Sequence, residues 1–200
     1  MSTVNDLQKS VIKAVADLGF ENASIKTIAK KAGISASTIY CHYPDKETLF
    51  EAAFMSMAEL FCKMFAADCS SLAEDSREKA VCNLCRRYLD FFLANPDGTL
   101  FYTRYRRSAY YTDEIRAKVE NYEHGYFETT LQLADIFGLS KKNDCAAVVL
   151  RFFVEALLLY AEQRLLGKAD KEHDALAFYT IYKASLALEE KLIGLEDEKN

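Results

Sequence analysis

The chain has 200 residues, half of them hydrophobic, with a formal net charge of −5, two prolines and seven glycines. That is enough apolar material for a packed core, which excludes wholesale disorder, and too few turn residues for an all-β protein. The greasiest stretch, residues 145–161, carries Arg151 and Glu155 at its centre, and Val4-Asn5-Asp6-Leu7-Gln8-Lys9 is already mixed polar. Neither a membrane span nor a secretory leader is therefore expected, and the chain is assigned to the cytoplasm.

In chain order, Asn5 and Gln8 are spaced as a capping box, and Leu7, Val11, Ala14, Val15 and Leu18 then repeat at helical spacing. Gly19 is placed to end this first helix. Ser24 can cap a short second helix whose buried face is Ile25, Ile28, Ala29 and Ala32. Gly33 breaks that helix where a tight turn needs positive φ. Ser35 can cap a third, running to about His42, so the pair reads as a helix-turn-helix over residues 24–43. Asp45 can cap a fourth helix carrying Leu49, Phe50, Ala53, Phe54, Met57, Leu60 and Phe61.

Further on, Asp75 with Glu78 suggests another capping box, followed by a stripe of Val81, Leu84, Cys85, Tyr88, Leu89 and Phe92. Asn95-Pro96-Asp97-Gly98 reads as a turn. A short helix from Thr99 to about Ala109 comes next, then one capped by Thr112 and striped by Ile115, Val119, Tyr122, Tyr126 and Leu133. Residues 143–167 are apolar nearly all round, so that helix must be covered on several sides at once. A last helix spans roughly Asp174 to Leu192. The expected fold is all-α, of about nine helices: a three-helix head, residues 1–46, and a helical body, residues 47–200.

Residues 1–50 hold six lysines against five acids, and within 23–46 Lys26, Lys30, Lys31 and Lys46 face Asp45 alone. A basic head on an acidic body can meet phosphates while the body is repelled. The expected third helix opens on Ser35, Ala36 and Ser37, small enough to let its backbone enter a DNA major groove. Its N-terminus carries partial positive charge suited to phosphate. Ile39 points to the core, which leaves Ala36, Ser37, Thr38 and Tyr40 outward. The helix carries no Arg, Gln or Asn, so bidentate reading of guanine or adenine is missing from it.

The run from Ser24 to Phe50, with Ile28-Ala29, Ala32-Gly33-Ile34-Ser35, Thr38-Ile39-Tyr40, His42-Tyr43-Pro44 and Asp45-Lys46-Glu47, closely resembles the N-terminal signature of the TetR family of repressors. It covers about a quarter of the chain, and its combination of elements is specific. The resemblance implies a homodimer binding double-stranded DNA at an inverted-repeat operator. It further implies base and phosphate contacts by Ser37, Thr38 and Tyr40, with Ala36 against a thymine methyl. Lys26, Thr27, His42 and Lys46 would hold the DNA backbone. It also implies a sensor body that takes a small-molecule effector whose binding releases the DNA.

For the effector, the aromatic residues of 88–127 offer walls for a flat or hydrophobic molecule, and the lining is expected from Phe92, Tyr102, Tyr105, Tyr122, Tyr126 and Phe153. Arg104, Arg106 and Arg107 read mainly as a solvated face, with Arg104 or Arg107 a candidate for an anionic effector. The all-round apolar helix calls for a partner, so dimerisation is expected through the last two helices as a four-helix bundle. Cys41, Cys62, Cys69, Cys82, Cys85 and Cys145 are read as reduced, buried thiols.

A metal site, a cofactor and an enzyme activity are not expected, since the chain lacks a phosphate loop, a nucleophile elbow and an HExxH pair. Two alternatives stay open. One is a ligand-free DNA-architectural or protein-interaction module. The other is a thiol-sensing regulator using Cys82 and Cys85.

Overall fold

The computed structural model describes residues 2–65, 76–124, 127–139 and 145–197. Ten α-helices are found there: α1 Ser2–Asn22, α2 Ile25–Ala32, α3 Ala36–His42, α4 Lys46–Phe65, α5 Arg77–Ala94, α6 Pro96–Arg106, α7 Asp113–His124, α8 Phe127–Phe137, α9 Cys145–Leu165 and α10 Asp174–Asp197. A 3-10 turn, Lys171–His173, precedes α10. The all-α expectation holds, and no helix among the described residues is long and apolar enough to cross a membrane.

The chain divides into two compact units, Met1–Phe61 with Asn95–Tyr122, and Cys62–Ala94 with Glu123–Asn200. The head expected to close at residue 46 shares its unit with the first part of α4 and with α6 and most of α7. Packing, rather than the end of the helix-turn-helix, sets this division.

In the first unit α1 packs against α2 and α6. Leu7, Val11, Ala14 and Val15 are buried along one face of α1, with Ile28, Ile39, Leu49, Phe50 and Phe54 among the side chains that fill the core. An aromatic cluster completes this core. Phe54 stacks on Tyr105 at 4.2 Å and on Tyr102 at 4.9 Å, and Phe20 packs between Phe50, Phe101 and Tyr110. Lys118 of α7 reaches Glu51 of α4 at 2.7 Å and Glu114 of its own helix at 2.9 Å.

In the second unit α5, α8, α9 and α10 pack together. Val81, Leu84, Tyr88 and Phe92 face inward from α5, and Phe137 meets the Phe153 ring at 4.6 Å and Tyr182 at 5.9 Å. Past α9 the chain is fastened by Asp174, whose buried carboxylate accepts from Tyr160 at 2.8 Å and pairs with Arg164.

Several expectations need correcting. The first helix begins before Asn5, so Asn5 and Gln8 lie inside it and do not start it. Pro96-Asp97-Gly98 is the first turn of α6 and not a free turn, with Asn95 alone joining it to α5. Proline costs nothing at the first helical position, where its missing N–H would have no partner. The stripe expected from Ile115 through Leu133 is shared between two helices, α7 and α8. Asp75, Cys69, Tyr126 and Asn143 lie outside the described residues.

Candidate nucleic-acid interface

Local chemistry builds the two short helices. Ser24 accepts a hydrogen bond from the backbone N–H of Thr27 at 3.1 Å, and Ser35 accepts one from that of Thr38 at 3.2 Å. Each hydroxyl satisfies a donor that the first helical turn leaves open. Between them Gly33 takes φ 68°, and its N–H reaches back to Lys30. This is the left-handed bend a side chain would strain.

The turn presents α3 with one inward residue, Ile39, fully buried. Ser37 and Tyr40 are exposed, Tyr40 by 55%, while Ala36 and Thr38 are half-buried and His42 is exposed. The hydroxyls of Ser37 and Thr38 lie 2.6 Å and 2.9 Å from that of Ser35, so the three form one connected polar edge. Thr27 shares its hydroxyl with Ser24 at 2.9 Å. Ser35, Ser37 and Thr38 therefore stand together, with Tyr40 and His42 exposed on the same short helix.

The lysines divide into two kinds, which residue counting alone did not show. Lys31 pairs with Asp17 at 2.8 Å, and its hydrogen bond holds the Asp17 carboxyl below its ordinary range. Lys46 donates to the backbone carbonyl of Phe20 at 3.0 Å and lies 5.0 Å over the Phe50 ring. Lys26 and Lys30 are exposed and make no ion pair among the described residues. Lys30 was not singled out by the sequence reading, although it stood in the basic count. Asp45 caps α4 by accepting from Thr48, and those hydrogen bonds keep its carboxyl below the usual value.

The expected effector residues fall in both units. Tyr102 and Tyr105 are buried in the first unit against Phe54, with Tyr122 half-buried. Phe92 and Phe153 are fully buried in the second. Arg104 is neither a wet residue nor turned to an open anion site, because it donates to the carbonyls of Val15 and Ala16 at 3.0 Å and 2.7 Å. An open cleft of about 570 Å³ in the first unit is floored by Ile12, Met57 and Leu60, with Lys13 and Asp97 bridging its rim at 3.4 Å.

Of the cysteines expected to be buried, Cys41 on α3 is exposed. Burial pushes the Cys85 thiol far up, and burial with Glu78 nearby raises Cys82. Both shifts oppose the thiolate that a thiol sensor needs.

A capped helix-turn-helix with a small, outward-facing second helix has the form of a DNA-binding head. Residues 13–53 match the family model of bacterial regulatory proteins, tetR family. That segment, about a fifth of the chain, is similar to the DNA-binding head of the tetR family, and the match marks the chain as a DNA-binding regulator of transcription. It resembles a TetR family transcription regulator from Marinobacter aquaeolei VT8, with 24% identity, 92% of this chain and 95% of that one covered and a TM-score of 0.68. A TetR-like transcriptional regulator from Rhodococcus sp. RHA1 shares 20% identity over 92% of this chain and 96% of its own, with a TM-score of 0.62. The fatty acid degradation regulator FadR from Bacillus halodurans shares 17% identity over 91% of this chain and 97% of its own, with a TM-score of 0.63. At these identities the likeness is one of fold. No curated protein matched the chain.

Proposed function

We propose that the protein is a cytoplasmic repressor that sits, as a homodimer, on an inverted-repeat operator and leaves it when a small hydrophobic or aromatic molecule binds. The observation that carries this reading is α3, which buries Ile39 while Ser37 and Tyr40 are exposed and Thr38 is half-buried beside Ser35. Ser37, Thr38 and Tyr40 then contact bases and nearby phosphates, and Ala36 lies against a thymine methyl. Lys26, Thr27 and His42 hold the DNA backbone, and Lys46 joins them by exchanging the Phe20 carbonyl for a phosphate.

Dimerisation is supported by apolar surface in the second unit. Val148, Phe152 and Leu159 recur on one face of α9 and are 39–51% exposed, and on α10 Leu176 and Tyr179 are 64% and 44% exposed. Exposed apolar surface of this kind marks an interaction face, and two copies of two helices form a four-helix bundle.

An apolar effector is supported by the aromatic content of both units and by analogy with the fatty acid degradation regulator of Bacillus halodurans. Substitutions at Tyr102, Tyr105 and Tyr122 in one unit, and at Phe92 and Phe153 in the other, would report separately where it binds.

The test is selection of bound duplexes from a random pool, followed by a small-molecule screen on the complex. An inverted repeat should emerge, and Thr38→Ala or Tyr40→Phe should weaken its binding by about 1–3 kcal/mol. A pool that enriches no sequence would sink the reading, and a monomer at micromolar concentration would sink the dimer.

A further inference from the structure

The end of α1 is an accounting problem. A helix leaves its last four carbonyls without partners from its own following turn. Here Gly19 breaks the helical path at φ 75° and ψ 169°, which puts that terminal turn near Val15–Leu18. The carbonyls at this end are satisfied from several parts of the chain. Val15 and Ala16 receive two N–H bonds from one nitrogen, Nη1 of Arg104 on α6, at 3.0 Å and 2.7 Å. Leu18 receives the Asn22 amide at 3.1 Å, Gly19 the Ala23 N–H at 3.1 Å, and Phe20 the Lys46 ammonium at 3.0 Å. Two cations from distant segments therefore sit at the electronegative end of α1, where the helix dipole favours them.

Arg104 lies 88 and 89 residues from these carbonyls, whereas the other hydrogen bonds at this end are local or come from the start of α4. Helix α1 in turn is the element against which α2 packs, and α3 packs against α2. The planar guanidinium fixes two bonds in a set direction, which a flexible ammonium does not. We propose that Arg104 is a positioning residue for DNA recognition: by capping α1 from α6, it sets the direction in which the helix-turn-helix is presented. Arg104 touches no DNA in this scheme. The proposal rests on the DNA-binding reading above, and it adds a residue outside the helix-turn-helix to the determinants of operator choice.

Positioning and charge make different demands on an experiment. Two recognition helices must hold their register to read an inverted repeat, but a scrambled duplex of equal length is bound through phosphates alone and tolerates misalignment. The full-length wild type, Arg104→Gln and Arg104→Lys would be titrated against the duplex that the wild type selects and against its scrambled counterpart. Circular dichroism and amide exchange would be recorded on all three.

For Arg104→Gln the selected duplex should lose about tenfold in affinity, comparable to one mismatched base pair, with the scrambled duplex unchanged. Amides of residues 18–23 should exchange faster, and Arg104→Lys should fall between. Wild-type affinities for both duplexes in Arg104→Gln would overturn the proposal. So would an equal loss on both, which would mean that Arg104 acts only through its charge. If Arg104→Gln does not fold, Arg104→Lys decides: a folded protein with a reduced ratio of selected to scrambled binding supports positioning, and a wild-type ratio refutes it. A wild type that prefers no duplex would remove the DNA-binding reading itself, and the role of Arg104 with it.

Discussion

Replacing Ile39 with alanine tests how the recognition helix is held. Helix α3 has seven residues, too few to be stable alone, and Ile39 is its one buried side chain, with no exposed surface. The substitution removes three carbon atoms, worth about 2.4 kcal/mol at about 0.8 kcal/mol per buried methylene. The cavity left behind raises the cost to about 3–4 kcal/mol, inside the range of about 2–5 kcal/mol for such truncations. Ile39→Val removes one carbon and should cost about 0.5–1.5 kcal/mol. Against a total stability of about 5–15 kcal/mol the alanine variant should still fold, with a clearly lower urea midpoint.

Its affinity for the selected duplex should fall further than its affinity for scrambled DNA, because α3 loses its fixed seat. Urea denaturation followed by circular dichroism, together with DNA titration in native buffer, reads both effects. If Ile39→Ala melted within about 0.5 kcal/mol of wild type and bound the selected duplex normally, the seating of α3 described above would be wrong.

Lys26→Ala should weaken binding to all duplexes alike and lower the salt slope by about one, with no change in the melt. Lys46→Ala should in addition lower the melting temperature, since Lys46 also caps Phe20; a normal melt would mean that this bond contributes nothing. Asp17 and Asp45 titrate below their ordinary value in the folded chain, because Lys31 and Thr48 donate to them. Carboxyls shifted down add stability above their unfolded pKa and lose it as pH falls through the folded one, so stability should drop below about pH 4. Asp17→Asn with Asp45→Asn should make that drop shallower, and identical acid profiles would refute the assignment. With an alkylating reagent in native buffer, mass spectrometry should find Cys41 modified first and Cys85 only after unfolding. Early labelling of Cys85 would contradict its burial.

The amino-acid sequence by itself determined the head. Ser24 and Ser35 bond to backbone three residues on, and Gly33 bends the chain between them. These interactions close within a few residues, so the residues that make them are also the ones that announce them. The inward turn of Ile39 and the outward turn of Tyr40 follow from the same helical period.

Only the tertiary structure decided what the charged and aromatic side chains do. Lys31 finds Asp17 14 residues away, Lys46 finds Phe20 26 away, and Arg104 finds Val15 89 away. In sequence all three were exposed-looking cations, two of them counted toward DNA and one toward solvent or an anion. Tyr102 and Tyr105, read as pocket walls, both have Phe54 stacked against them, and Cys41 looked buried until α3 turned it outward. A periodic pattern says which face of a helix is buried, but not what lies against it. The partner of a long polar or aromatic side chain is chosen by how whole helices cross, and that choice is made only when the chain folds.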